Sequence, residues 1–100
     1  MRVCVIQVPY AMGHEDLGGS RGAQRLVQAG GPLLLENSGL AVTMKRVERD
    51  APFRDTASAC LAVNTALAQL VRQAIAAQQL PLVLAGSCDV SLGILAGFDH

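Results

Sequence analysis

The chain has 100 residues, the size of one small domain. Apolar residues make up 51% and charged residues 16%, against about 25% charged in an ordinary soluble domain, which speaks against disorder. Eight basic and eight acidic residues cancel, and aromatics are 3% with no Trp. That balance supplies neither a basic footprint for nucleic acid or anionic lipid nor a platform for base stacking.

The apolar excess carries its own implication. A domain this small hides only about two-thirds of its unfolded surface, so this composition offers more apolar surface than a small monomer covers. The expectation is a piece of something larger, either packed on a partner or forming the front part of a longer domain. Uninterrupted apolar runs such as Leu80–Ala85 reach about six residues, whereas a spanning helix needs about 20, so no membrane segment is expected. The apolar run after Arg2 is broken by Gln7 and Pro9 and is too short for a secretory leader. Cys4, Cys60 and Cys88 are an odd set with no C-x-x-C, which implies reduced thiols and a cytoplasmic location.

Val3-Cys4-Val5-Ile6 reads as a strand covered on both faces, as in a parallel sheet, and Pro9 closes it. Residues 10–19 form a loop with three glycines. Ser20 is positioned to cap a first helix reaching about Ala29, and Gly30-Gly31 stops it. Pro32 opens a second helical segment that ends near Gly39. Leu40–Val47 reads as the second strand, followed by a charged loop from Glu48 to Arg54. Asp55 or Thr56 caps a long helix to about Gln78. Its Cys60, Val63, Leu67, Leu70, Val71, Ala74 and Ile75 fall at steps of three and four, and Ser58, Thr65, Gln69, Arg72 and Gln73 line another face. Pro81–Ala85 reads as a third strand buried on both sides, 86–89 as a tight turn, and Val90–Gly97 as a further helix.

Strands alternating with helices imply right-handed parallel crossovers in a layered α/β sheet. Three strands leave unpaired edges. In such sheets ligands sit beyond the carboxyl ends of the strands. Two segments qualify: 9–20 after the first strand and 86–89 after the third. Gly86 permits a sharp exit, and Ser87, Cys88 and Asp89 are hydrogen-bonding or metal-ligating types. The plain alternative is that Ser87 or Asp89 caps the next helix.

The stretch Pro81-Leu82-Val83-Leu84-Ala85-Gly86-Ser87-Cys88-Asp89-Val90-Ser91-Leu92-Gly93 resembles the first metal-binding motif of the ureohydrolases, the family of arginase, agmatinase and formiminoglutamase. That motif is an apolar strand, then Gly-Gly-Asp-His-Ser, then a helix with Gly a few residues on. Val8-Pro9-Tyr10 with its glycine-bearing loop, Ser20-Arg21-Gly22-Ala23, and the long helix with Asn64 resemble the family's opening. The resemblance covers nearly all 100 residues but only about the first third of a family member. It implies a three-layer α/β/α sandwich with a parallel sheet (arginase/deacetylase-like), of which residues 1–100 supply the first three strands and their helices.

The resemblance also implies an activity: hydrolysis of guanidino-type C–N bonds of a small molecule by water activated on two manganese ions. Residue by residue, Ala85-Gly86 falls on the two glycines, Ser87 on the motif's Asp, Cys88 on its metal-binding His and Asp89 on its Ser. Cys88 is thus the one candidate metal ligand, and a thiolate is a softer donor than manganese prefers. The remaining ligands belong to later Asp-Ala-His-x-Asp and Asp-x-Asp motifs that this sequence does not contain. No catalytic residue and no other cofactor-binding residue is assigned. The expectation is a segment inactive alone, with a homo-oligomer for the full-length protein.

Two other readings stand beside this one. Gly86-x-Cys88 on a strand–turn–helix is similar to a nucleophile elbow and would make Cys88 a nucleophile, although Val90 stands at the second glycine. The other is a non-catalytic module whose spare apolar face binds a partner. His14 reads as a solvated loop residue and His100 as terminal. Cys4 and Cys60 read as small hydrophobes, Arg21 and Arg25 as exposed helix arginines, and Lys45–Asp50 as a solvated strand end. Asn64 reads as a structural residue that bonds a loop backbone.

Overall fold

The computed structural model describes residues 2–10, 22–48, 54–85 and 90–98. The elements follow the expected order: β1 (Arg2–Val8), α1 (Gly22–Gln28), α2 (Gly31–Asn37), β2 (Ala41–Arg46), α3 (Thr56–Ala76), β3 (Leu80–Ala85) and α4 (Ser91–Phe98). The three strands form one sheet in the order β2-β1-β3, and both pairings are parallel. The Ser20 cap and the 49–53 loop lie outside the described residues.

β1 is central because its sequence suits burial on both faces. Successive side chains of a strand point to opposite faces. Cys4, Ile6 and Val8 enter one core with Val63, Leu67, Val71 and Ala74 of α3. Val5 faces the other way, toward Leu26 of α1 and Pro32 and Leu35 of α2. Val5, Ile6, Val8, Val63, Leu67 and Val71 have no solvent exposure. α1 and α2 cover one face of the sheet and α3 covers the other, with α4 packed on α3. This is the three-layer sandwich with a parallel sheet.

Local chemistry sets the helix ends. Asp55 is extended and its carboxylate accepts from the Ser58 amide at 2.7 Å, an N-cap that satisfies one of the free amides of α3. Gly30 (φ 94°) turns the chain between α1 and α2, and Pro32 sits in the first turn of α2. At the end of α3, Gln78 N–H donates to Ile75 and Gln79 N–H to Ala74, with Gln78 in the left-handed region at φ 59°. This hydrogen-bond pair normally has glycine at its left-handed position.

Two readings need correction. β3 is not buried on both sides: it is an edge strand, with Leu80 54% and Leu82 38% exposed. Its composition is that of an interior strand, but among the described residues only β1 pairs with it. α3 is also long and apolar enough, by length and composition, to cross a membrane, which a search for uninterrupted apolar runs overlooks. Its alanines carry the average past its Gln, Asn and Arg residues. Here its apolar stripe packs on the sheet and on α4.

Candidate functional site

The register places Val8 of β1 opposite Ala85 of β3, so both strands end at one level. β2 ends one pair earlier, with Arg46 opposite Gln7, and Val47 N–H continues the ladder to Gln7 O at 2.9 Å. Val8, Tyr10, Val47 and Val90 lie at or just past element ends on this side, and all are buried in the core that includes α3. The floor beneath the strand ends is therefore packed and apolar. The sequence candidates Gly86, Ser87, Cys88 and Asp89 lie outside the described residues, as do His14, Arg21 and His100.

The two flanks of 86–89 are held firmly. Ala85 is fixed in the sheet by its pairing with Val8. Val90 is 3% exposed. One turn on, Asn64 of α3 accepts from the Gly93 amide through Oδ1 at 2.8 Å and donates through Nδ2 to Cys60 O at 2.9 Å. Gly93 is the third residue of α4, whose amide has no partner within its own helix. Asn64 thus caps a neighbouring helix from the side. The structural role expected for Asn64 holds, with a helix amide rather than a loop as its partner.

The contact depends on two glycines. A Cβ on Gly93 would lie 2.8 Å from both Asn64 O and Asn64 Oδ1, and one on Gly97 would lie 2.6 Å from Val71 Cβ. Gly93 and Gly97 are the buried residues of α4 and let its backbone rest directly on α3. Sequence reasoning used Gly93 only as part of the family motif and passed over Gly97. The usable signal was the four-residue spacing, which puts both glycines on one helix face.

The other candidates are placed plainly. Cys4 is 2% exposed, and burial pushes its thiol above the ordinary 9.0, with Lys45 opposing the shift. It is a packing residue. Cys60 is half-buried in a groove between α3 and α4. Arg25 is exposed, as are Lys45, Arg46 and Glu48, while Val47 between them belongs to the core. Among the described residues no three of His, Cys, Asp and Glu come together. The buried residues at the strand ends contribute one phenol and no carboxylate or imidazole. Among the described residues these groups do not make up a two-metal centre. With both histidines outside the described residues, the cysteine-nucleophile reading gains no geometric support.

No protein-family profile matches the chain, and no curated protein matches it. Solved structures do. Arginase from Bacillus subtilis superposes with a TM-score of 0.82 at 28% identity, over 97% of this chain and 34% of that one. A second structure of arginase, from Bacillus subtilis subsp. subtilis str. 168, gives 0.81 at 27% identity, over 97% and 35%. Arginase from Bacillus cereus gives 0.78 at 27% identity, over 98% and 35%. The fold is therefore arginase-like across nearly the whole chain. The chain is an N-terminal arginase-like segment and spans about a third of the length of the structures it matches.

Proposed function

We propose that this chain is the opening part of a single arginase-type α/β domain whose complete form hydrolyses a guanidino-type C–N bond of a small molecule. The supporting observation is the superposition on arginase along 97% of this chain, at an identity of 28%. In that complete form two manganese ions would activate the attacking water, and Cys88 stands at the family's first ligand position. The described residues of this chain supply the sheet end and the α3–α4 clamp on which such a site would be built. Inactivity of the segment by itself belongs to the same reading, since the family's later Asp-Ala-His-x-Asp and Asp-x-Asp motifs are not in this sequence. A cytoplasmic location and a homo-oligomeric full-length protein belong to the same reading.

The test has two parts. Urea release from arginine and from agmatine is measured with manganese present, for the 100-residue chain and for the polypeptide that includes the coding sequence downstream of His100. The reading expects activity only in the longer protein, with an Asp-Ala-His-x-Asp motif in the added sequence. Urea release by the 100-residue chain, or a downstream sequence without these motifs, would refute it.

A further inference from the structure

β2 departs from the pattern of a strand packed under a helix. Its alternate residues Thr43 and Lys45 share a face with Val47, which enters the core beneath α3. An apolar side chain suits that face, yet a hydroxyl and an ammonium stand there. Where α3 overhangs them the two layers do not close. A pocket of about 290 Å³ remains, with Thr43 and Lys45 on one wall and Leu70 and Ala74 of α3 on the other. Cys4 of β1, the register partner of Thr43, also lines it. Gln79, which leads from α3 into β3, donates from Nε2 to Thr43 Oγ1 at 3.2 Å, so the Thr43 hydroxyl keeps its own proton to donate. Lys45 is near enough to Cys4 for its charge to act on the thiol, which puts the ammonium beside the pocket. Glu36, Glu48 and Asp55, the carboxylates among the described residues, do not line it. Edge protection accounts for a lysine on an outer strand. It does not account for the Gln79–Thr43 bridge or for the open space behind it, because packed interiors hold few voids larger than a water molecule.

We infer that this pocket binds a small aliphatic monocarboxylate, its carboxylate held by Lys45 and Thr43 and its hydrocarbon tail laid on Leu70, Ala74 and Ala77. The charge selects the head group: one ammonium with neutral donors around it suits a singly charged anion, and charge-assisted hydrogen bonds are the strong ones. The helix wall selects the tail. Leu70, Ala74 and Ala77 fall at steps of four and three on one stripe of α3, and a bare inorganic anion would leave them facing water. The volume sets the size: at the ~30 Å³ a water occupies in the liquid, about 290 Å³ holds roughly ten heavy atoms. A carboxylate of about five carbons is within that limit. The pocket lies on the α3 side of the sheet, near the amino ends of β1 and β3 and away from their carboxyl ends. It is therefore separate from the candidate site at 86–89, and the inference does not depend on the hydrolase reading.

Equilibrium dialysis against radiolabelled pentanoate tests this, on the 100-residue chain and on the polypeptide that includes the coding sequence downstream of His100. The expected result is one pentanoate per chain with a Kd below about 1 mM. Pentylamine, with the same tail and the opposite charge, and inorganic phosphate, with charge and no tail, should each bind at least tenfold more weakly. Lys45→Gln, which removes the charge and keeps a donor, should weaken pentanoate binding at least tenfold, and Thr43→Val at least threefold. Arg46→Gln, on the opposite face of β2, should leave it unchanged within about twofold. Amide exchange locates the ligand: β2 and the last turn of α3 should slow with pentanoate and α4 should not. Four results would overturn the inference: no saturable binding by either polypeptide, phosphate bound as tightly as pentanoate, full affinity in Lys45→Gln, or slowing at α4 in place of β2.

Discussion

Gly97→Ala puts the helix contact to its sharpest test. Alanine is favoured over glycine in a helix interior by about 1 kcal/mol, so without a neighbour the change should stabilise α4. Here the new Cβ would lie 2.6 Å from Val71 Cβ, 2.7 Å from Val71 Cγ1 and 2.9 Å from Ala68 O. Carbon atoms rest at about 3.5–4.0 Å. Val71 is fully buried and its Cβ is fixed to the backbone, so relief requires α4 to move off α3 by about 1 Å. Overpacking of this kind costs about 1–3 kcal/mol. The same movement strains the 2.8 Å bond from Gly93 to Asn64, worth about 1 kcal/mol. The net expectation is a loss of about 1–3 kcal/mol, equivalent to roughly a 5- to 150-fold rise in local opening. Amide exchange of α4 and of the facing turn of α3 reads this directly. Gly22→Ala is the control: nothing lies within 4 Å of its Cβ, so α1 should be unchanged or slightly better protected. If Gly97→Ala left α4 equally or better protected, the close approach of the helices would be wrong.

Further predictions concern single residues. Gln78→Gly should slow exchange in the last turn of α3, because a left-handed residue other than glycine costs about 1 kcal/mol. Asp55→Ala should raise exchange in the first turn of α3 by a factor matching about 1 kcal/mol, since the Ser58 amide loses its acceptor. Cys4 gives a pH signature. Its folded thiol titrates above the ordinary 9.0, so its stabilising effect is complete below that pH and is lost above it, as the unfolded thiol ionises first. Helical ellipticity should therefore fall more in the wild type than in Cys4→Ala as the pH is raised past 9.0; equal losses would remove the burial argument.

Much of the fold was legible because its signals are local. Val3–Ile6 announces a doubly covered strand, Asp55 a cap, and the three-and-four spacing from Val63 to Ala74 a stripe facing the sheet. β3 misled because burial is not a property of a strand alone. Its residues specify an interior position, but the neighbour that would bury Leu80 and Leu82 is not among the described residues. Gly97 was missed for a related reason: a glycine within a helix looks like a defect until the opposing Val71 and Ala68 are known. The candidate site was legible only through the likeness of 81–93 to a family motif. Cys88 lies outside the described residues, and the packed floor of Val8, Tyr10, Val47 and Val90 carries no chemistry of its own.

Calorimetry of the isolated chain tests most directly whether these strands are part of an unfinished domain. A complete 100-residue domain absorbs about 60–80 kcal/mol in one cooperative transition. The isolated chain should give a broad transition of much smaller enthalpy, with dye-accessible apolar surface and self-association that Leu82→Lys suppresses. A sharp, reversible melt of a monomer with the full enthalpy would contradict it.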